Sequence, residues 1–232
     1  MGRCFIITLG FHSDVGLRRI AEKGVKPGDK VLIVSGPPVQ ASKQAIEEFV
    51  LYASKVNVDP KNIREIHVDP LKASEGIEEI ARTIEDFCGE EGIILELGGG
   101  LRAVSALVLL TLFGLRRKFT IESSVEGTGM SFSVPEGFVD FLINRVGTRD
   151  GDVIEKLRES DDRDARELAK SIGCGEKTVV NRMSALKKIG LIEKQGRGSP
   201  KLTPWGEAAA SINSLFKRRK DSSLSKEDQP SR

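Results

Sequence analysis

The sequence is poor in the residues that build redox and metal chemistry. Three cysteines among 232 residues, Cys4, Cys88 and Cys174, stand apart without CxxC spacing, and only His12 and His67 could assist them. Disulfide frameworks and zinc sites use denser Cys/His patterns, so neither is expected. Long hydrophobic runs are also missing. No stretch reaches the roughly 18 uncharged apolar residues of a membrane span, and the N-terminus enters an apolar strand instead of a signal-peptide pattern. These absences point to a cytoplasmic protein with no membrane partner. Two nucleotide fingerprints are absent as well. The first strand's turn carries only Gly10, which excludes G-x-G-x-x-G and with it a redox cofactor. The Gly173–Thr178 stretch, GCGEKT, lacks the P-loop spacing and lies between helices, where a P-loop must follow a strand. No cofactor and no metal are expected.

What the chain does have centres on Gly92–Arg102, GIILELGGGLR, followed at once by the apolar Ala103–Leu110. A short β-rich run, glycines and an apolar helix read as buried strand, tight turn and buried helix. Glycines admit a ligand to backbone N–H groups, and the helix start behind them carries partial positive charge. With Arg102 as a fixed cation, phosphate is the favoured guest. The plainer alternative is a tight strand-to-helix turn without a ligand.

Around that motif, strands alternate with helices. Cys4–Leu9, Lys30–Val34, Ile63–Val68, Gly92–Leu97, Phe119–Ser123 and Met130–Val134 are strand candidates, the last beyond a Gly127–Gly129 turn. Val15–Lys23, Ala41–Val56, Glu75–Phe87 and Ala103–Leu110 have helical spacing. This is the pattern of an α/β fold, a Rossmann-like, mostly parallel sheet with helices on both faces. In the order 3-2-1-4-5, strands one and four lie side by side and open a crevice at their carboxyl ends. The turn at Thr8, Leu9, Gly10 and Phe11 and the turn at Gly98, Gly99, Gly100, Leu101 and Arg102 should line it. Glu96 is either a pocket carboxylate or a group paired with a neighbouring cation. His12, Ser13 and Asp14 could be drawn as a hydrolytic set, but capping of the next helix by Ser13 or Asp14 is preferred. Arg116, Arg117 and Lys118 suit the C-terminal dipole of the long helix.

Charge is divided between the two parts of the chain. Residues 1–144 hold 16 Lys+Arg against 20 Asp+Glu, net −4, and residues 145–232 hold 20 against 14, net +6. The basic part meets a polyanion on this reading. Residues 1–134 form the first domain, 135–148 a linker, 149–216 a second domain and 217–232 a charged, disordered tail. Asp164–Val179 reads as helix, glycine-containing turn, helix, and Leu191–Lys194 with Pro200–Thr203 as a hairpin around the basic tip Gln195–Ser199. That is a winged helix-turn-helix. On the helix Glu176–Ile189, Val179, Met183 and Leu186 face the core and Lys177, Thr178, Asn181, Arg182 and Ser184 face a DNA groove. Arg197 at the wing tip and Lys187, Lys188, Lys194 and Lys201 reach the DNA backbone. A solvated basic face on a docking domain is the alternative.

On Thr8–Phe11, on Glu96–Arg102 and on the placement of the helix-turn-helix, the chain resembles archaeal-type CRISPR-associated transcription regulators. These join a CRISPR-associated Rossmann fold (CARF) domain to a C-terminal winged helix. The resemblance covers all but the tail. It implies a homodimer formed through the CARF domain, a cyclic oligoadenylate, expected to be cyclic tetra-adenylate, bound across the two-fold axis, and double-stranded operator DNA as partner. Such domains commonly carry an acidic residue, a hydroxyl residue and Gly-x-Arg after strand four. Glu96, Gly100 and Arg102 fit, and Gly98 stands where the hydroxyl belongs. The resemblance therefore does not extend to a hydroxyl contact with the ligand, nor to the slow ring cleavage that some CARF domains perform. A ring nuclease acting in the same pocket is the enzymatic alternative to a regulator without catalytic residues. A third reading makes the first domain a dimerisation platform only.

Overall fold

The computed structural model describes residues 2–56, 58–125, 128, 130–159, 164–194 and 200–227, without the side chains of Lys194 and residues 220–227. The chain divides into two compact units, Met1–Pro135 and Glu136–Arg232.

The first unit is built on six strands, β1 (Arg3–Leu9), β2 (Lys30–Ser35), β3 (Ile63–His67), β4 (Gly92–Glu96), β5 (Phe119–Ser124) and β6 (Ser131–Val134), in the order β3-β2-β1-β4-β5-β6. All pairs are parallel except β5 with β6. Helices α1 (Asp14–Lys23), α2 (Gln40–Lys55), α3 (Ala73–Thr83) and α4 (Arg102–Gly114) make the connections. Residues Cys4–Leu9 of β1 are all fully buried, as a strand covered on both faces requires. Alternation divides them. Phe5, Ile7 and Leu9 pack with Ile46, Phe49 and Ala53 of α2, whereas Cys4 and Thr8 turn to the α3 and α4 side.

One sequence expectation is corrected here. Cys4 and Cys88 form a disulfide, with Cα atoms 5.5 Å apart. Cys88 closes a π-helical turn, Ile84–Cys88, that prolongs α3, and the next strand, β4, pairs with β1 so that Cys4 lies opposite Ile93. The two thiols are 84 residues apart in sequence, and the crossover between paired strands brings them together. Cys174 is free.

The second unit holds α5 (Glu136–Asn144), α6 (Arg149–Glu159), α7 (Ala165–Ile172), α8 (Glu176–Lys188), a hairpin of β7 (Ile192–Lys194) and β8 (Pro200–Leu202), and α9 (Pro204–Glu227). Residues 135–148, read from sequence as a linker, thus contain a helix. It is anchored by buried Phe138, Val139 and Phe141, and Phe138 meets Trp205 of α9 at 4.8 Å between ring centroids. Of the expected tail, residues 217–232, those after Glu227 lie outside the described residues. The chain from Lys217 to Glu227 continues α9, and Lys217 Nζ pairs with Asp152 at 2.5 Å and Glu155 at 2.9 Å, which ties the start of the charged segment to α6. Among the described residues no helix is long and apolar enough to cross a membrane, and no His/Cys/Asp/Glu group could hold a metal ion.

Candidate functional site

The carboxyl ends of β1, β2 and β4 surround a cavity of about 790 Å³. Leu9, Gly10, Phe11, Gly98, Gly99, Gly100 and Leu101 of the two sequence-selected turns line it. The turn after β2 and the start of α2 add Gly36, Pro37, Val39 and Ser42. Nothing in the local sequence marks this third wall, because a wall at a switch point is set by the sheet order. Its titratable lining groups are His12 and Asp14.

The two glycine turns fit together by direct backbone contact. Gly100 has φ +83° and packs on the Leu9 backbone, and a Cβ on Gly10 would come within 2.7 Å of Gly100 Cα. Thr8 is not among the lining residues. Its hydroxyl lies 2.6 Å from Gly99 O and 3.2 Å from Glu96 O and accepts from Ser105 Oγ of α4, so it clamps the turn from below. Arg102 is also outside the lining. It is the exposed first residue of α4, next to Leu101 at the rim. The start of α4 has no side-chain cap and no acidic residue in its first turn, so its N–H groups have no carboxylate neighbour on their own helix.

The open alternative for Glu96 is decided by its surroundings. The carboxylate is fully buried, pairs with Arg19 Nε of α1, and accepts the Gly98 N–H at 2.8 Å on its other oxygen. Arg19 is itself buried and also faces Glu122 at 3.3 Å and Glu22 at 2.8 Å, while Lys23 reaches Glu122 at 2.6 Å. Burial pushes the Glu96 carboxyl above the ordinary range, against the pull of Arg19 and the Gly98 N–H. Glu96 therefore braces the turn and does not face the cavity. The same contact explains Gly98, since a Cβ there would stand 2.6 Å from Val15 Cγ1 and 2.7 Å from Glu96 Oε1. A hydroxyl side chain has no room.

His12 and Asp14 border the cavity, but Ser13 does not cap α1. Its hydroxyl donates to Glu48 Oε2 of α2 at 3.0 Å and makes no capping bond. A glutamate across the α1–α2 packing competes for the hydroxyl that capping would need.

In the second unit, Asp164 caps α7 by accepting the Glu167 N–H at 2.8 Å, and Gly173 at φ +69° ends it, which sets up the turn into α8. On α8, Lys177, Thr178, Asn181, Ser184, Lys187 and Lys188 are exposed. Arg182 is drawn elsewhere. Its Nη1 bonds Asp150 Oδ1 of α6 at 2.6 Å, Asp150 Oδ2 binds Arg145 at 2.5 Å, and Arg145 Nε binds Asp140 of α5 at 2.7 Å. Spacing on one helix could not show that a buried carboxylate on another waits for this guanidinium. Val180, which the sequence left unassigned, is exposed in its stead, and Met183 is half-buried at the edge of a groove instead of in the core. Lys201 lies on β8, half-buried. The Lys194 side chain and Arg197, with the rest of the wing tip, lie outside the described residues.

A Rossmann-like domain with its cavity at the sheet's switch point is followed by a helix-turn-helix with a hairpin, which makes an α/β domain joined to a winged helical unit. Residues 3–135 match the model of the Csa3 CRISPR-associated Rossmann-like domain, and the chain belongs to that family. It is 28% identical over 198 residues to the "CRISPR locus-related putative DNA-binding protein Csa3" of Saccharolobus solfataricus, spanning 84% of this chain and 81% of that one. Solved structures with similarity include a MarR/EmrR family transcriptional regulator from Acinetobacter sp. ADP1, at TM-score 0.34 and 18% identity over 38% of this chain and 67% of that one. Another is Enterococcus italicus Csm6 bound to cyclic hexa-2′-fluoro-hexa-dAMP, at TM-score 0.45 and 8% identity over 95% of this chain and 56% of that one.

Proposed function

We propose that the chain is a ligand-responsive, DNA-binding transcriptional regulator of CRISPR-associated genes. It acts in the cytoplasm as a homodimer through the Rossmann-like unit, binds a cyclic oligoadenylate such as cyclic tetra-adenylate in the glycine-lined cavity, and binds operator DNA through α8 and the wing. One observation carries the ligand half. Arg102 sits at the uncapped start of α4, where a cation opposes the helix dipole, beside a cavity walled by glycine backbone. A cation there is unfavourable for the helix and favourable for an anion. The DNA half is supported by the exposed polar and basic face of α8, by the family, and by the name of the Saccharolobus relative.

The test measures linkage. The affinity of the full chain for a duplex recovered by in vitro selection is measured with and without saturating cyclic tetra-adenylate, and the affinity for the ring with and without the duplex. Coupling free energy is reciprocal, so both ratios should agree, at a factor of about 5 to 150. Equal affinities in all four measurements would mean that the two units are merely tethered. Chromatography of the same mixtures decides for the ring-nuclease alternative if linear products accumulate.

A further inference from the structure

The exposed side of α8 carries one apolar residue amid polar ones. Residues 177, 181 and 184 and residues 180, 184 and 187 are each spaced by four and then three, which places Lys177, Val180, Asn181, Ser184 and Lys187 on one stripe. Val180 is 46% exposed at its middle. It borders a groove of about 200 Å³ whose floor includes Met183 of α8 and Ile192 and Pro200 of the hairpin. Ser184, one turn on, donates its hydroxyl to Val180 O at 2.9 Å and so turns its proton back to its own helix. Arg182, two residues on, is held by Asp150. Val180 is thus an apolar spot on a stripe whose ends, Lys177 and Lys187, are cationic, and Lys187 and Glu193 complete the lining of the groove.

We propose that Val180 is a specificity-determining residue that packs against the 5-methyl group of a thymine. This rests on the reading of α8 as the DNA-binding helix. The methyl is the apolar group that base pairs offer in the major groove, and it is contacted there by apolar side-chain groups such as Ala, the Thr methyl and Phe. The cations at both ends of the stripe suit the phosphates that flank a groove and do not suit an apolar protein surface. Asn181, adjacent on the stripe, is a residue type that pairs with adenine, so the two together select an A·T-containing step.

Deoxyuracil removes the methyl and leaves hydrogen-bonding edges and phosphates unchanged, which isolates the contact. In the duplex selected on the wild-type full chain, each thymine is replaced by deoxyuracil in turn. Burial of one methyl-sized group corresponds to roughly fourfold in affinity. The expected result is a loss of that size at one or two positions and none elsewhere. Val180→Ala should bind the thymine duplex as weakly as wild type binds its deoxyuracil counterpart and should be indifferent to the replacement, while Asn181→Ala keeps the methyl effect. Val180→Ile, which retains the aliphatic contact, should keep it too and serves if Val180→Ala melts early. A wild-type chain that binds its selected duplex but ignores every replacement overturns the assignment and leaves the DNA reading standing. A chain for which selection recovers no duplex overturns both. Loss of self-association in Val180→Asp, without any deoxyuracil effect in wild type, would give the groove to a second protein copy and overturn it as well.

Discussion

Replacing Arg19 tests whether the buried charge cluster supports the glycine turn. Arg19→Met keeps the length and the apolar contacts of the side chain but leaves Glu96 and Glu122, both almost fully buried, without their shared guanidinium. Lys23 still reaches Glu122, so Glu96 is the group left uncompensated, with only the Gly98 N–H as a partner. Removing one partner of a buried pair costs about 3–5 kcal/mol. For a unit of this size that lowers the melting temperature by about 10–20 °C. The sign with pH follows from Glu96, whose folded carboxyl already lies above its ordinary value because of burial. Folded protein then binds the proton more tightly than unfolded protein does. That contribution to stability is present in full below the unfolded value and is lost as pH rises through the folded one. Without Arg19 the folded value rises further, so the gap between wild type and Arg19→Met should be widest near neutral pH and narrow as the carboxyl protonates. Thermal unfolding followed by circular dichroism between pH 5 and 8 measures this gap. A shift below about 3 °C, or a gap that does not change with pH, would refute the view that Arg19 neutralises a buried carboxylate under the turn.

Arg102→Ala should weaken cyclic tetra-adenylate binding by about tenfold or more without changing the melting temperature, since a charge-assisted contact is worth roughly 1.5–3 kcal/mol and the side chain is exposed; calorimetry with unchanged affinity would remove Arg102 from the site. Lys187→Ala should reduce affinity for every duplex alike and flatten the dependence of log affinity on log salt by about one unit, as loss of one phosphate contact does. Arg182→Ala should leave that slope unchanged, because its guanidinium is engaged by Asp150; a slope flattened equally by both substitutions would return Arg182 to the DNA face.

The strand order and the cavity's position were legible because each rests on local pattern combined with a topological rule. Continuous apolar runs in β1 and β2 mark strands covered on both faces, and alternation with helices then leaves few ways to wind the sheet. The glycine turns were legible for a similar reason, as GGG between a strand and a helix has few uses. Contacts between groups distant in sequence were not legible. Cys4 meets Cys88 because β1 pairs with β4, and Ser13 turns from capping to Glu48 because α1 packs on α2. Glu96 could be seen as a carboxylate on a buried strand, but its cation stands 77 residues earlier on α1.

The same distinction applies to Arg182 on α8. Helical spacing says which residues share a side of the helix, and by that rule Arg182 and Asn181 are equivalent candidates for a groove. What separates them is Asp150, nearly buried on α6, which pairs with both Arg182 and Arg145 and would lose one of its two cations if Arg182 turned to DNA. Asp150 is held in turn by Arg145, and Arg145 by Asp140, so α5, α6 and α8 share one chain of charges. The helix in a region read from sequence as a linker therefore belongs to the second unit, where its Asp140 is joined through Arg145 and Asp150 to Arg182 of α8.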